Sequence, residues 1–240
     1  MKKHIPNFIT SLNLAAGFIA ILFALNGDIV TASWLILAAM IFDFLDGFSA
    51  RLLKSYSDIG KELDSLADVV SFGVAPAIII YQLLASSLSV VGPAFVYISG
   101  WKLSVILFSP VIMPVCAALR LAIFNTDETQ VILFKGLPTP ANALAVISLV
   151  IAEHYSDYRI FDSLTISTTF LVIFMIILSV LMVTRIPLLA LKISHLRLKG
   201  NEGIYLLVIL VVASLAVFGL GGLPLIIPLY IIASLASLFF

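Results

Sequence analysis

Charge is what this sequence has least of. Only 13 of its 240 residues are Lys or Arg and 13 are Asp or Glu, which leaves a formal net charge of zero. Soluble domains carry roughly 25% charged residues, more than twice the 11% found here. No basic surface is available to follow a polyphosphate chain, so no nucleic-acid partner is expected. Cysteine is nearly absent too. Cys116 stands alone, which excludes an intramolecular disulfide and leaves the redox compartment unread. It reads as a small apolar packing residue. His4, His154 and His195 lack metal-ligand spacing. No repeat or low-complexity segment is visible. The apolar run after Met1–His4 contains Asn7, Thr10 and Asn13 and no clear small-residue cleavage site, so no cleavable signal is expected.

Apolar residues fill the space that charge leaves. They make up 62% of the chain, with a mean hydropathy of +1.21. One water-soluble core cannot bury that excess, so lipid must be part of the solvent. Hydropathy predicts an all-α, polytopic membrane helix bundle of about eight transmembrane helices. The predicted spans run over Phe8–Leu25, Ile29–Phe48, Asp64–Leu84, Val105–Phe124, Pro140–Glu153, Thr168–Leu189, Ile204–Leu220 and Leu223–Phe240. Ser86–Trp101 reads as a loop or interfacial segment. The basic loop Lys192–Glu202 separates residues 1–190, a six-helix unit, from 191–240, that loop with a C-terminal two-helix hairpin. Alternating crossings put Lys2, Lys3, Arg51, Lys54, Lys61, Arg120, Lys135, Arg185, Lys192, Arg197 and Lys199 on one side. Lys102 and Arg159 fall on the other. By the positive-inside rule both termini are cytoplasmic. The expected location is the inner (cytoplasmic) membrane.

The second and third spans carry acids at that same end. Asp43, Asp46, Gly47, Ala50 and Arg51 follow i, i+3, i+4, i+7, i+8 spacing and share one helix face. Ser57, Gly60, Asp64 and Asp68 follow i, i+3, i+7, i+11 and share another. Two antiparallel helices joined by Leu52–Ile59 can point four carboxylates at one another. Such a cluster repels itself and resists desolvation, and a divalent cation offsets both costs. All-oxygen ligation suits Mg2+ or Mn2+, and Mg2+ is usually shared with substrate phosphates. Gly47 and Gly60 leave room for a ligand, and Arg51 offers a cation for phosphate oxygens. Each feature has a plainer reading when taken alone. Asp43 and Asp46 could face a water-filled cavity, Gly47 could mark close helix packing, and Asn7 and Thr10 could cap a helix start. Lys54, Asp58, Lys61 and Glu62 read as a solvated loop.

Residues 43–68 match D-x-x-D-G-x-x-A-R-x8-G-x3-D-x3-D at Asp43, Asp46, Gly47, Ala50, Arg51, Gly60, Asp64 and Asp68. This pattern resembles the signature of the CDP-alcohol phosphatidyltransferases. The resemblance implies two divalent cations (Mg2+ or Mn2+). Asp43 and Asp64 would contact both, Asp46 the first and Asp68 the second. It further implies Asp68 as general base, and Gly47, Arg51 and Ser57 as contacts of a CDP-lipid. Ala50 and Gly60 belong to the same surface, and Asn7 and Thr10 are candidates for the cytidine or its ribose. The stretches IPNFITSLNLAAG, DSLADVVSFGVAPA, LRLAIFN, FKGLPTPAN and MVTRIP resemble the membrane-embedded phosphatidylserine synthases. Ile123 departs from that pattern, standing where arginine is expected.

The implied reaction moves a phosphatidyl group from CDP-diacylglycerol to L-serine. Arg120, Asn125 and Lys135 are the candidate acceptor contacts, an arginine fork suiting a carboxylate best. Membrane lipids and a second copy of the chain are the other implied partners. Two alternatives stay open. One is a relative using a phosphorylated acceptor such as glycerol phosphate or inositol phosphate, with Arg120, Lys135 and Arg185 as its cations. The other is an ion or metal transporter, although its acids would be expected nearer the bilayer midplane.

Overall fold

The computed structural model describes residues 4–55, 57–88, 101–126, 134–189 and 202–237, with backbone alone at 134–135 and 202. Lys2, Lys3, most of the expected 86–101 loop and nearly all of the basic 192–202 loop lie outside them. The described chain is a helical bundle. Its helices are α1 (His4–Leu25), α2 (Ile29–Leu53), α3 (Asp58–Ser87), α4 (Trp101–Thr126), α5 (Thr139–Tyr155), α6 (Arg159–Ile166), α7 (Thr168–Val183), α8 (Glu202–Phe218) and α9 (Ile226–Ala236). A two-residue antiparallel ribbon joins β1 (Phe134–Lys135) to β2 (Pro187–Leu188).

The interior of the bundle is mostly apolar but holds a set of polar side chains, and its outer surface is apolar as well. Phe18, Leu22, Phe44, Val115, Ile173, Ile176, Ile209 and Val212 are exposed, whereas Thr10, Asn13, Asp46, Asp68, Arg120, Asn142 and Ser179 are buried. Water would not tolerate so much outward apolar surface, but acyl chains do. The chain is an integral membrane protein. Among the described residues five helical stretches are long and apolar enough to cross a bilayer, or six if the pair α6 and α7, bent by 83°, counts as one. That is fewer than the eight crossings expected. Helix α5 has only 17 residues, roughly 26 Å at 1.5 Å per residue. The last stretch, 203–236, folds back on itself: a methyl group added at Gly203 would lie 2.8 Å from Cβ of Ser237.

Hydropathy located the apolar stretches and missed their polar ends. Helix α2 runs to Leu53 and α3 begins at Asp58, six residues before the expected Asp64. Lys54, in the left-handed region at φ 49°, closes α2, and its N–H reaches the carbonyls of Ala50 and Arg51. Ser57 opens α3 by accepting from the Gly60 N–H at 3.0 Å. Asp28 does the same for α2, accepting from Thr31 N at 2.9 Å. That hydrogen bond holds the Asp28 carboxyl below the usual carboxylate range. Asp58, Lys61 and Glu62 therefore sit in the first turns of α3, not in a loop. In the other direction, α7 ends at Val183 instead of Leu189. Pro187 has no N–H to continue a helix, and the chain turns into β2.

Helices α1 and α3 run side by side in the same direction. Asn7 lies by Gly60, Asn13 by Asp68, Gly17 by Ser71, and Ala24 and Leu25 by Gln82. Small buried residues on α1, namely Ala16, Gly17, Ala20 and Ala24, permit this approach. A methyl group at Gly17 would sit 2.7 Å from Cα of Ser71. Gly17→Ala is expected to destabilise the bundle by about 3 kcal/mol, the upper end for overpacking. Thermal unfolding in detergent measures it, and an unchanged midpoint would refute the close crossing.

Directly after Asp68 the α3 helix widens into a π-helical turn, Val69–Val74. Pro76 explains the break, because it cannot donate to the Phe72 carbonyl four residues back. Asn142 on α5 takes up that carbonyl with its side-chain N–H at 3.1 Å. The irregular turn is thus locked to a neighbouring helix directly beyond Asp68.

Candidate active site

Helices α2 and α3 bring Asp43, Asp64 and Asp68 together, with one oxygen of each within 4.8 Å of the others. Asp46 lies one turn beyond Asp43, 6% exposed, beside Thr10 of α1. At such separations two ionised carboxylates repel by about 3–4 kcal/mol in an effective dielectric near 20. No salt bridge relieves them among the described residues. Asp46 Oδ2 and Asp64 Oδ1 are buried without a hydrogen-bond partner. Orphaned anionic oxygens at this spacing form a donor set that suits a hard divalent cation. Three of the four expected aspartates, Asp43, Asp64 and Asp68, are thus brought together where they could hold metal, and Asp46 lies beside them outside that group.

Asp68 is only 7% exposed. Its Oδ1 accepts from Asn13 Nδ2 at 3.4 Å and its Oδ2 from Thr139 Oγ1 at 3.5 Å. Both contacts are long, so they orient the carboxylate more than they satisfy it. Asn13 and Thr139 were not among the expected site residues. Their signal was polarity: an asparagine inside the apolar run of α1, and the Thr139–Pro140 start of α5.

A cleft adjoins the acids, lined by Pro6, Asn7, Thr10, Asp46, Gly47, Ala50, Ser55, Ser57, Gly60, Lys61 and Asp64. Six of the seven expected CDP-lipid residues line it. Arg51 does not; it is exposed and its Nε donates to the Gly47 carbonyl at 3.0 Å. Ser57 also serves as the α3 cap. Thr10 Oγ1 donates to the Pro6 carbonyl at 3.0 Å. A methyl group at Gly47 would meet no atom within 4 Å, so the glycine borders open space. At Gly60 it would lie 2.9 Å from Asn7 Oδ1, so the glycine lets α1 close against α3. Lys61, read from sequence as solvated, is the cation facing this cleft; its Nζ donates to the Asn125 carbonyl at 3.1 Å.

The three acceptor candidates do not form one group. Arg120 on α4 is 8% exposed, its Nε has no partner, and its guanidinium lies 5.9 Å from the Phe124 ring centre. It stands within electrostatic reach of Asp68 and Tyr230. Asn125 is instead spent on α3, donating from Nδ2 to Ser65 Oγ at 2.8 Å. Lys135 is described in its backbone only, in register with Pro187. Arg185 and Ile123 are exposed.

The opposite end of the bundle is aromatic. Trp34 and Tyr155 meet edge to face at 6.2 Å, His154 and Tyr155 at 4.6 Å, and Tyr158 and Phe218 at 6.1 Å. Such clusters mark a membrane–water boundary, with the acids near the other one.

Fold and site together define a membrane-embedded protein that gathers carboxylates around a polar cleft at one end of its bundle. A family model described as CDP-alcohol phosphatidyltransferase matches residues 3–232, and the chain belongs to that family. It is 39% identical over 191 residues to the CDP-diacylglycerol–serine O-phosphatidyltransferase of Mycobacterium leprae, covering 77% of this chain and 57% of that protein. The Helicobacter pylori protein of the same name is 31% identical over 229 residues, covering 95% of this chain and 87% of its own. The archaetidylserine synthase of Methanothermobacter thermautotrophicus is 36% identical over 184 residues, covering 76% and 68%.

Proposed function

We propose that the chain transfers the phosphatidyl group of CDP-diacylglycerol to the hydroxyl of L-serine, releasing CMP. The observation that carries this reading is the meeting of Asp43, Asp64 and Asp68 beside an open cleft, with Arg120 buried and its Nε without a partner. Two divalent cations, Mg2+ or Mn2+, held by Asp43, Asp46, Asp64 and Asp68, would neutralise the pyrophosphate and the departing CMP. The nucleotide end of the lipid would lie over Gly47, Ala50, Ser57 and Gly60, with Asn7 and Thr10 toward the cytidine. Arg51, outside the cleft, would reach it only by turning from the Gly47 carbonyl.

Asp68, oriented by Asn13 and Thr139, takes the proton of the serine hydroxyl. The serine oxygen bonds to the lipid-side phosphorus as the bond from that phosphorus to the CMP oxygen breaks. CMP leaves with that electron pair. Arg120 would hold the serine carboxylate. Lys135 and Asn125 remain candidates of lesser weight, Asn125 because its amide is engaged by Ser65.

In this reading eight helices cross the membrane. Residues 1–190 form the catalytic core and 191–240 the basic loop and hairpin. Both termini and the site face the cytoplasm, and two chains associate. Light scattering of the detergent-solubilised protein decides the last point, a monomer mass counting against it.

Purified protein given CDP-diacylglycerol with serine, glycerol phosphate or inositol phosphate tests the acceptor. CMP release with serine alone is expected. Release with a phosphorylated acceptor would reassign the substrate, and no acceptor-dependent release would remove the enzymatic reading. Arg120→Ala is expected to raise the serine KM by about 10- to 100-fold, the loss of a charge-assisted hydrogen bond. An unchanged serine KM would exclude Arg120 as a ligand.

A further inference from the structure

Asp46 and Asp64 line the cleft at the acidic end of the bundle, and Lys61 is the one cation among its lining residues. Lys61 and Asp64 stand three residues apart on α3, so both face the same space. Among the described residues the Lys61 ammonium has a neutral partner and no acid: it donates to the Asn125 carbonyl at 3.1 Å. That carbonyl belongs to the last turn of α4, where helical donors run out.

Asn125 is itself held in place. Its Nδ2 donates to Ser65 Oγ at 2.8 Å, and Ser65 Oγ donates to the Lys61 carbonyl at 3.2 Å. The end of α4 therefore sets where the Lys61 ammonium rests beside the cleft. An ammonium has three N–H donors, and Asn125 takes one. Two donors and a full positive charge remain for a ligand. A lysine that only tied α3 to α4 would account for the Asn125 bond, but not for its place in the wall of the cleft. The neighbouring arginine does not compete for that place, since Arg51 lies outside the cleft and donates to the Gly47 carbonyl. Across the same cleft Gly47 borders open space, which leaves room for a bulky anion.

We infer that Lys61 is a substrate-binding residue, its ammonium meeting the phosphate oxygens of the CDP-lipid while the Asn125 carbonyl holds it in position. Lysine serves this purpose as a point charge with freely rotating donors. Lys61 thereby takes the phosphate-directed role that spacing assigned to Arg51.

The inference rests on the CDP-lipid half of the proposed reaction and not on serine. Its test is titration of CDP-diacylglycerol into the purified, detergent-solubilised, Mn2+-loaded protein without serine, with melting temperature measured alongside. Lys61→Gln keeps a donor for the Asn125 carbonyl and removes the charge, and it is expected to weaken lipid binding by about tenfold. Lys61→Arg restores the charge and should bind within about threefold of the unaltered protein. Lys54→Gln removes an equal charge from the same end of the bundle but outside the cleft, and should stay within about twofold. All three variants should melt within about 2 °C of the unaltered protein, because an exposed lysine adds little stability. Unchanged lipid binding in Lys61→Gln overturns the inference. So does equal weakening in Lys54→Gln, or Lys61→Arg binding no better than Lys61→Gln. Weaker binding matched by a clear fall in melting temperature would assign Lys61 to the α3–α4 tie alone and overturn it too. If the unaltered protein binds no CDP-diacylglycerol, the proposed reaction falls and this inference with it. If the lipid binds as expected but serine releases no CMP, the acceptor reading falls and the Lys61 inference stands.

Discussion

Asp68→Asn is expected to lower kcat by about a thousandfold, within the usual contribution of a positioned general base. The substitution keeps the shape of the side chain. Its amide oxygen can still accept from Asn13 Nδ2, and its amide N–H can donate to the Thr139 hydroxyl oxygen. The folded state, and binding of CDP-diacylglycerol at saturating Mn2+, should therefore persist. What disappears is a carboxylate able to accept the serine proton. Single-turnover CMP release at saturating lipid and metal separates that loss from weaker metal binding. Turnover within about tenfold of the unaltered protein would move the base elsewhere and leave Asp68 a ligand only.

Removal of divalent ions should have an even larger effect. Exhaustive chelation is expected to take product formation below detection, and Mg2+ or Mn2+ should restore it. A second readout is independent of catalysis. Asp43, Asp64 and Asp68 crowd within 4.8 Å, and Asp46 and Asp64 each bury an unpaired oxygen. A cation that binds only the folded state adds about 2.7 kcal/mol at a hundred times its dissociation constant. The unfolding temperature should accordingly rise by several degrees on metal addition, by about 5 °C at that level. Asp43→Asn combined with Asp64→Asn removes the charge that creates the demand, so the metal-dependent shift should vanish in that variant. Full product formation after chelation, or an identical shift in the double variant, would refute a metal centre here.

Much of this site was legible in the chain because helical periodicity is local. Spacing put Asp43 and Asp46 on one face and Asp64 and Asp68 on another, and the cluster formed accordingly. Of the two glycines expected to leave room for a ligand, Gly47 borders open space, whereas the space at Gly60 is taken by Asn7 and Ser57. Residues whose role depends on what a distant helix brings read poorly. Asn13 was visible only as a polar residue in an apolar run, and its partner Asp68 lies 55 residues away. Lys61 is exposed, as its charge suggested, but only the early start of α3 at Ser57 brings it to the rim of the cleft as well. Asn125 looked available, but the fold commits its amide to Ser65.

Composition by itself determined that lipid is the solvent, since so little charge cannot clothe so much apolar surface. Spacing determined that carboxylates share helix faces. Only the tertiary structure decided which faces meet. Small residues on α1 let it lie against α3, Pro76 forces the π-helical turn that Asn142 locks, and Pro187 turns the end of α7 into a ribbon. Burial of Arg120 was decided there too. Each of these depends on close packing between segments far apart in the chain, and the alternation of polar and apolar residues along one helix says nothing about its neighbour.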